Sequence, residues 1–197
     1  MIIGILGKKY HGKDTVSDFI MDMNSNFTRM SFADPLKKIS KVLFSFTDEQ
    51  LYGDKKEEED EYWKVSPRQV FQFLGTDICR KQMKKIIPEI EDNFWVECLR
   101  RQLNNIEGNI VISDVRFPNE AKMIKEMGGY IIKVTRPLLE SNDEHYSEQI
   151  IDYVNYDYAI NNNGSLEELR FKTNFVLDDI MNKDHPPNST YSSQSDV

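Results

Sequence analysis

Apolar positions along the chain change period several times, and each change marks an expected element. "MIIGIL" opens as a short, almost unbroken apolar run, a buried strand, with a glycine-rich turn after it. In "DTVSDFIMDM", Val16, Phe19, Ile20 and Met23 recur at helical spacing. "LKKISKVLFSF" repeats that period with Leu36, Ile39, Val42 and Leu43, after Asp34 as cap and Pro35 as first helical position. "SPRQVFQFLGTDICRKQM" again sets Ser before Pro and predicts a helix, as does "NFWVECLRRQL", with Phe94, Trp95, Cys98 and Leu99 on its buried side. The charge run "DKKEEEDEYW", ahead of Ser66, reads as a solvated connector.

In the second half, "NIVISDV" is nearly continuously apolar and ends in a carboxylate, as a buried parallel strand does at the ligand edge of its sheet. "NEAKMIKEMGG" is a helix closed by glycine, "YIIKVTRP" a strand, "DYAI" a last short strand, and "LEELRFKTNFVLDDIM" the final helix. Strands alternating with helices predict an α/β fold, a parallel sheet flanked by helices. No internal repeat is present, and 197 residues suit one domain, expected over residues 1–181. The polar, Pro/Ser-rich stretch 182–197 is expected to be a disordered tail.

Composition narrows the function. At 39% hydrophobic and 11% aromatic residues the chain can bury a core, yet no run approaches the roughly 20 apolar residues that span a bilayer. No basic segment leads into a cleavable apolar stretch, so a cytoplasmic protein without a membrane partner is expected. The two cysteines, Cys79 and Cys98, have no companions at metal spacing, which argues against structural zinc and fits a reducing compartment. The sequons at Asn163 and Asn188 then carry no weight. A net charge of -8 disfavours nucleic acid as a partner, so any anionic ligand must meet a local cluster of basic groups.

The strongest chemical signal runs from Gly7 to Lys13, which reads G-x-x-x-x-G-K between an apolar strand and an amphipathic helix. Gly7 and Gly12 let backbone N–H groups turn toward phosphate oxygens, the helix adds its positive end, and Lys13 supplies a full charge. Where Ser or Thr usually holds magnesium stands Asp14, with Thr15 next; either is a candidate ligand, and Asp14 as a plain helix cap is the alternative. Asp114, at the tip of "NIVISD", is placed to position the metal and its waters, and Arg116 to meet charge at the reaction centre. At about 100° per residue, Val70, Phe71, Leu74 and Ile78 share one side of their helix and Arg68, Gln72, Thr76 and Arg80 the other. Periodicity alone leaves open whether that polar face meets a ligand or solvent.

Several segments, in order, carry a family resemblance: "GKDTVSDFIM", "SFADPLKK", "RQVFQFLGTD", "SDVRFPNEAKMIKEMGGYIIKVTRP", "SNDEHYSE" and "AINNNGSLEEL". Together they resemble the deoxynucleoside monophosphate kinases of tailed bacteriophages and their relatives, from Met1 to about Leu169. The resemblance implies a P-loop nucleoside monophosphate kinase fold, with a helical acceptor-binding region at about 32–105 and a lid at about 137–150. It implies transfer of the terminal phosphate of ATP to a deoxynucleoside monophosphate with Mg2+, nucleotides as the partners, and leaves a homodimer open. Asp14 is then the residue expected in the loop. ATP would meet Gly7, Lys8, Tyr10, Gly12, Lys13, Asp14, Thr15 and Arg136, with Asn162 and Gly164 of the "NNNGS" turn near adenine, although Asn and Gly are also ordinary turn residues.

The acceptor would meet Ser31, Phe32, Asp34, Lys37, Arg68, Gln72, Thr76, Arg80, Trp95 and Arg116, with His145 and Glu148 near the lid. Phe32 can stack on a base or simply fill the core. Lys13, Arg116, Arg80, Arg136 and Asp114 form the expected catalytic set, and Asp14, Thr15 and Asp114 the metal set. The short acidic stretch between residues 44 and 66 departs from the larger insertion of longer relatives, which puts base selectivity and dimer contacts built there in doubt. Dephospho-coenzyme A kinase and phosphomevalonate kinase share parts of this pattern, and a non-catalytic nucleotide sensor is the reading from another class.

Overall fold

The computed structural model describes residues 1–137 and 149–184. Five strands, β1 (Ile2–Leu6), β2 (Phe27–Met30), β3 (Asn109–Val115), β4 (Tyr130–Thr135) and β5 (Tyr158–Asn161), form one sheet in the order β2-β3-β1-β4-β5. Every pairing is parallel, and Ile3 stands between Val111 of β3 and Tyr130 of β4. The chain therefore crosses between non-adjacent strands, and those crossovers are helical.

Helix α1 (Lys13–Met23) and the last helix, α7 (Leu166–Asp184), cover one face of the sheet. Ile5, Ile20, Val111, Ile132, Leu177 and Ile180 are fully or almost fully buried there. On the other face α5 (Phe94–Leu103) and α6 (Pro118–Glu126) pack Leu99, Ile124 and Met123 onto Leu6, Ile112 and Ile131. A small third cluster of Phe46, Leu51 and Val70 ties α3 (Asp48–Tyr52) to α4 (Pro67–Gln72), and the Phe44 and Phe46 rings stack at 5.3 Å. No helix among the described residues is long and apolar enough to cross a membrane.

Several expectations shift. Helix α2 (Asp34–Phe44) forms, yet Ile39, Val42 and Leu43 are 48%, 81% and 59% exposed, because the helix buries only the narrow line through Leu36 and Ser40. Ala33, not Asp34, is its cap, and the Asp34 carboxylate instead accepts the Ser31 N–H at 3.2 Å. Met23 lies at the exposed end of α1. On α5 the buried set is Trp95, Val96, Leu99 and Leu103, while Phe94 and Cys98 are half-buried. The helix after Ser66 does not stay α-helical: Phe73–Arg80 winds as a π-helix, and Ile78 turns outward. The charged connector is folded as well as solvated, with Asp60 accepting the N–H groups of Tyr62 and Trp63. Helix α7 runs past residue 181 to Asp184, and the rest of the expected tail and most of the expected lid lie outside the described residues.

Exposure decides what truncation costs. Ile112→Ala should lower unfolding free energy by about 2–5 kcal/mol, and Val42→Ala by less than about 0.5 kcal/mol, as read from urea unfolding.

Candidate active site

Strand β1 delivers the chain to a loop that its neighbours hold from two sides. A Cβ at Gly7 would stand 2.8 Å from the Val134 carbonyl oxygen of β4, so only glycine lets the loop leave the sheet so closely. Tyr10, 69% exposed, and Gly12 take the left-handed backbone region at φ 64° and 95°, the reversal that turns the loop into α1. The Asn162 side chain donates to the His11 carbonyl at 3.1 Å and its backbone N–H to Thr135 at 2.7 Å. The Arg136 N–H donates to His11 Nδ1 at 3.3 Å. The turn after β5 thus braces the loop, while Gly164 packs under the Glu168 carboxylate and the Arg136 side chain is exposed.

Around the loop, cations are paired on its rim and concentrated in its mouth. Lys8 pairs with Asp152 at 2.7 Å and Lys9 with Glu57 at 2.6 Å. Lys13, at the uncapped start of α1, is buried; burial holds its ammonium below the usual lysine range, Arg116 adds to this, and Asp14 and Asp114 oppose it. Asp14 faces the cleft, 3.7 Å from Lys13 and 2.7 Å from Arg29, whereas Thr15 is half-buried outside the cleft lining.

From Lys13 a cleft of ≈ 720 Å³ opens toward the segment after β2 and the π-helix. Such a volume is of the size that small-molecule ligands occupy. Asp114, at the end of β3, accepts the N–H groups of Phe32 at 2.8 Å and Ala33 at 3.0 Å. Burial pushes its carboxyl above the usual range, and those two backbone donors oppose the shift. Ser31 lines the cleft with a buried hydroxyl that has no hydrogen-bond partner among the described residues, while Phe32 is part of the core and also borders the cleft. Lys37 lies 4.5 Å from the Tyr52 ring centroid, and burial lowers its ammonium against the pull of Asp114 and Asp34.

Arg68, Gln72, Thr76 and Arg80 all line this cleft, which settles that their face is turned inward. A straight α-helix would drift this i, i+4 row around its axis, and the wider π turn holds it back in line. The Trp95 indole donates to the Gly75 carbonyl at 2.9 Å within that stretch. Arg80 is buried and committed to protein partners: its guanidinium meets Glu120 at 2.8 Å and lies 3.6 Å from the Phe117 ring centroid. The other Glu120 oxygen accepts the N–H groups of Arg116 and Phe117 at 2.9 and 3.1 Å. His145 and Glu148 lie outside the described residues.

Arg29, Tyr52, Lys56 and Glu120 also line the cleft and were not singled out by sequence. Only Glu120 had a local signal, a glutamate three residues into a helix begun by proline. Among the described residues no group of three His, Cys, Asp or Glu side chains converges as a metal cage.

A parallel sheet, a phosphate loop after its central strand and a basic cleft in front of that loop define a small P-loop kinase. Shikimate kinase from Aquifex aeolicus shares the fold at a TM-score of 0.52 and 13% identity, over 94% of this chain and 99% of its own. The family model described as deoxynucleotide monophosphate kinase matches residues 40–173, and the chain belongs to that family. A relative from Acanthamoeba polyphaga mimivirus, provisionally named deoxynucleotide monophosphate kinase, is 40% identical over 85% of this chain and 91% of its own. The deoxynucleotide monophosphate kinase of Enterobacteria phage T4 is 31% identical over 60% of this chain and 47% of its own.

The buried Glu120 gives a pH test. Burial raises its carboxyl from 4.5 to about 7 against the attraction of Arg80. A carboxyl that binds its proton more tightly when folded contributes stability that is complete below pH 4.5 and is lost as pH rises through about 7. Urea midpoints of the wild type should therefore fall more across that window than those of Glu120→Gln.

Proposed function

We propose that this protein transfers the terminal phosphate of ATP to a deoxynucleoside 5'-monophosphate, giving ADP and the deoxynucleoside diphosphate. One observation carries the reading: the face bearing Arg68, Gln72 and Thr76 lines the same cleft as Lys13 and Arg116. Two phosphate-bearing substrates can thus meet in one enclosure, which direct in-line transfer requires.

The loop backbone and Lys13 would hold the ATP phosphates. The donor set suits magnesium, which commonly takes one or two carboxylates and completes its shell with phosphate oxygens and water. Asp14 would hold it, with Asp114 behind. When bound, the metal would neutralise charge on the ATP phosphates. Ser31, Phe32, Asp34 and Lys37, with the π-helix face and Trp95, would hold the acceptor, and the buried Ser31 hydroxyl lines that enclosure. Arg116 would meet the charge of the moving group, with the exposed Arg136 closing from the donor side. Residues 32–105 would then form the acceptor-binding region. Relatives from viruses and phages point to DNA precursor supply in the cytoplasm of an infected host.

The test is ADP formation from Mg-ATP with a panel of deoxynucleoside and ribonucleoside monophosphates, dephospho-coenzyme A and phosphomevalonate. Turnover confined to deoxynucleoside monophosphates is expected, with Lys13→Ala lowering kcat by about 100-fold or more. Turnover of another acceptor alone would move the function, and ATP binding without any turnover would leave a sensor.

A further inference from the structure

The acidic connector contributes one residue to the cleft. Asp54–Lys56 forms a 3-10 turn directly after α3, and Lys56 lines the same enclosure as Lys13, Asp14 and Lys37. Successive side chains on such a turn point about 120° apart. Two residues of the turn and Glu57, just after it, face three ways. Lys55 turns back to Glu49 at 3.9 Å, Lys56 turns into the cleft, and Glu57 reaches the phosphate loop, where it pairs with Lys9 at 2.6 Å. The Glu57 clasp spans 48 residues of sequence and fixes the connector against the loop. Lys56 itself is half-buried, and among the described residues no carboxylate pairs with it.

The electrostatic surroundings of Lys56 point to an anion. Its charge repels both Lys13 and Lys37, whose ammonium groups are already disfavoured by burial. The residues lining the cleft include seven cationic side chains against four carboxylates, and Asp14 and Glu120 among those four already pair with Arg29 and Arg80. Positive charge gathered this way is stabilised when a polyanion enters, most of all when two phosphate groups that repel each other must approach.

We propose that Lys56 is a ligand of the phosphoryl group in transit, held over it by the Glu57–Lys9 clasp between connector and phosphate loop. This assignment rests on the kinase reading above. In the step it serves, an acceptor phosphate oxygen forms a bond to the γ-phosphorus while the bond from that phosphorus to the β–γ bridging oxygen breaks. ADP leaves with the electron pair, and Lys56 keeps its proton throughout. A contact of this kind strengthens as the two phosphates close on one another, so its loss should appear in kcat more than in substrate binding.

The experiment measures kcat and both KM values for wild type, Lys56→Met, Lys56→Arg, Glu57→Gln and Lys55→Ala, with the monophosphate that wild type turns over best. Lys56→Met, which keeps the apolar stem, should lower kcat about tenfold or more while KM for ATP moves less than about twofold. Lys56→Arg should restore most of the rate, Glu57→Gln should show a smaller loss of the same kind, and Lys55→Ala should match wild type. Lys56→Met within about twofold of wild type in kcat and kcat/KM overturns the assignment alone. A loss matched by Lys55→Ala also overturns it, since general connector charge would then explain both. Wild type inactive on every monophosphate overturns the kinase reading and this assignment together.

Discussion

The carboxylate of Asp114 joins the two halves of this molecule. It sits at the end of β3, beside the strand that leads into the phosphate loop, and both of its oxygens are taken by backbone N–H groups of Phe32 and Ala33. A buried charge left unsatisfied is costly, so the segment after β2 cannot drift from the sheet edge without exposing that cost. From this anchor the next steps follow in short range. The Ser31 N–H meets Asp34, α2 starts at once, and one turn later Lys37 comes within the electrostatic reach of Asp114. This wall of the cleft is thereby indexed to the same strand end that lies near Lys13.

The second constraint is how closely the loop lies against the sheet. The Val134 carbonyl leaves no room for a side chain at Gly7, and the Asn162 amide fills the space beside Gly12. Because Asn162 also bonds the His11 carbonyl, the end of β5 fixes the path of the loop. Ion pairs on the rim extend this bracing outward through Lys8 to the 3-10 turn Ile150–Tyr153 and through Lys9 to the connector. Such exposed pairs contribute little stability each, and their value lies in where they hold the chain.

Much of this could be read from the residues. Strands came from short apolar runs, and parallel pairing from the helices between them, because both signals are local. The loop was legible because its glycines and lysine do their work with backbone atoms a few residues apart. What escaped reading depends on distant partners. Ile39, Val42 and Leu43 have a sound helical period, but whether a period is buried depends on a neighbouring layer, and α2 is buried only along Leu36 and Ser40. The π winding of Phe73–Arg80 has no counterpart in spacing rules built for α-helices, and it carries the row Arg68, Gln72, Thr76 and Arg80 into one cleft. Lys56 stood in a charge run, where composition says solvent, yet it lines the cleft, next to the Glu57 that pairs with Lys9.

Charge placement separates the arginines that sequence alone treats alike. Arg80 is enclosed by Glu120, the Phe117 ring and the Asp92 carbonyl, so its guanidinium is engaged by protein groups before a substrate enters. Removing one side of a buried pair costs far more than the pair contributes, which makes Arg80 and Glu120 a single unit of the wall. That unit has a consequence for Arg116, because the same glutamate holds the Arg116 N–H and so fixes where its side chain begins. Arg80 thus shapes the site through Glu120, while Lys13, Lys37, Lys56 and Arg116 provide the field that a pair of phosphates would meet. An acidic protein can receive two anions in this way: its carboxylates around the cleft are spent as tethers for backbone and guanidinium groups, and the balance of positive charge faces the enclosure.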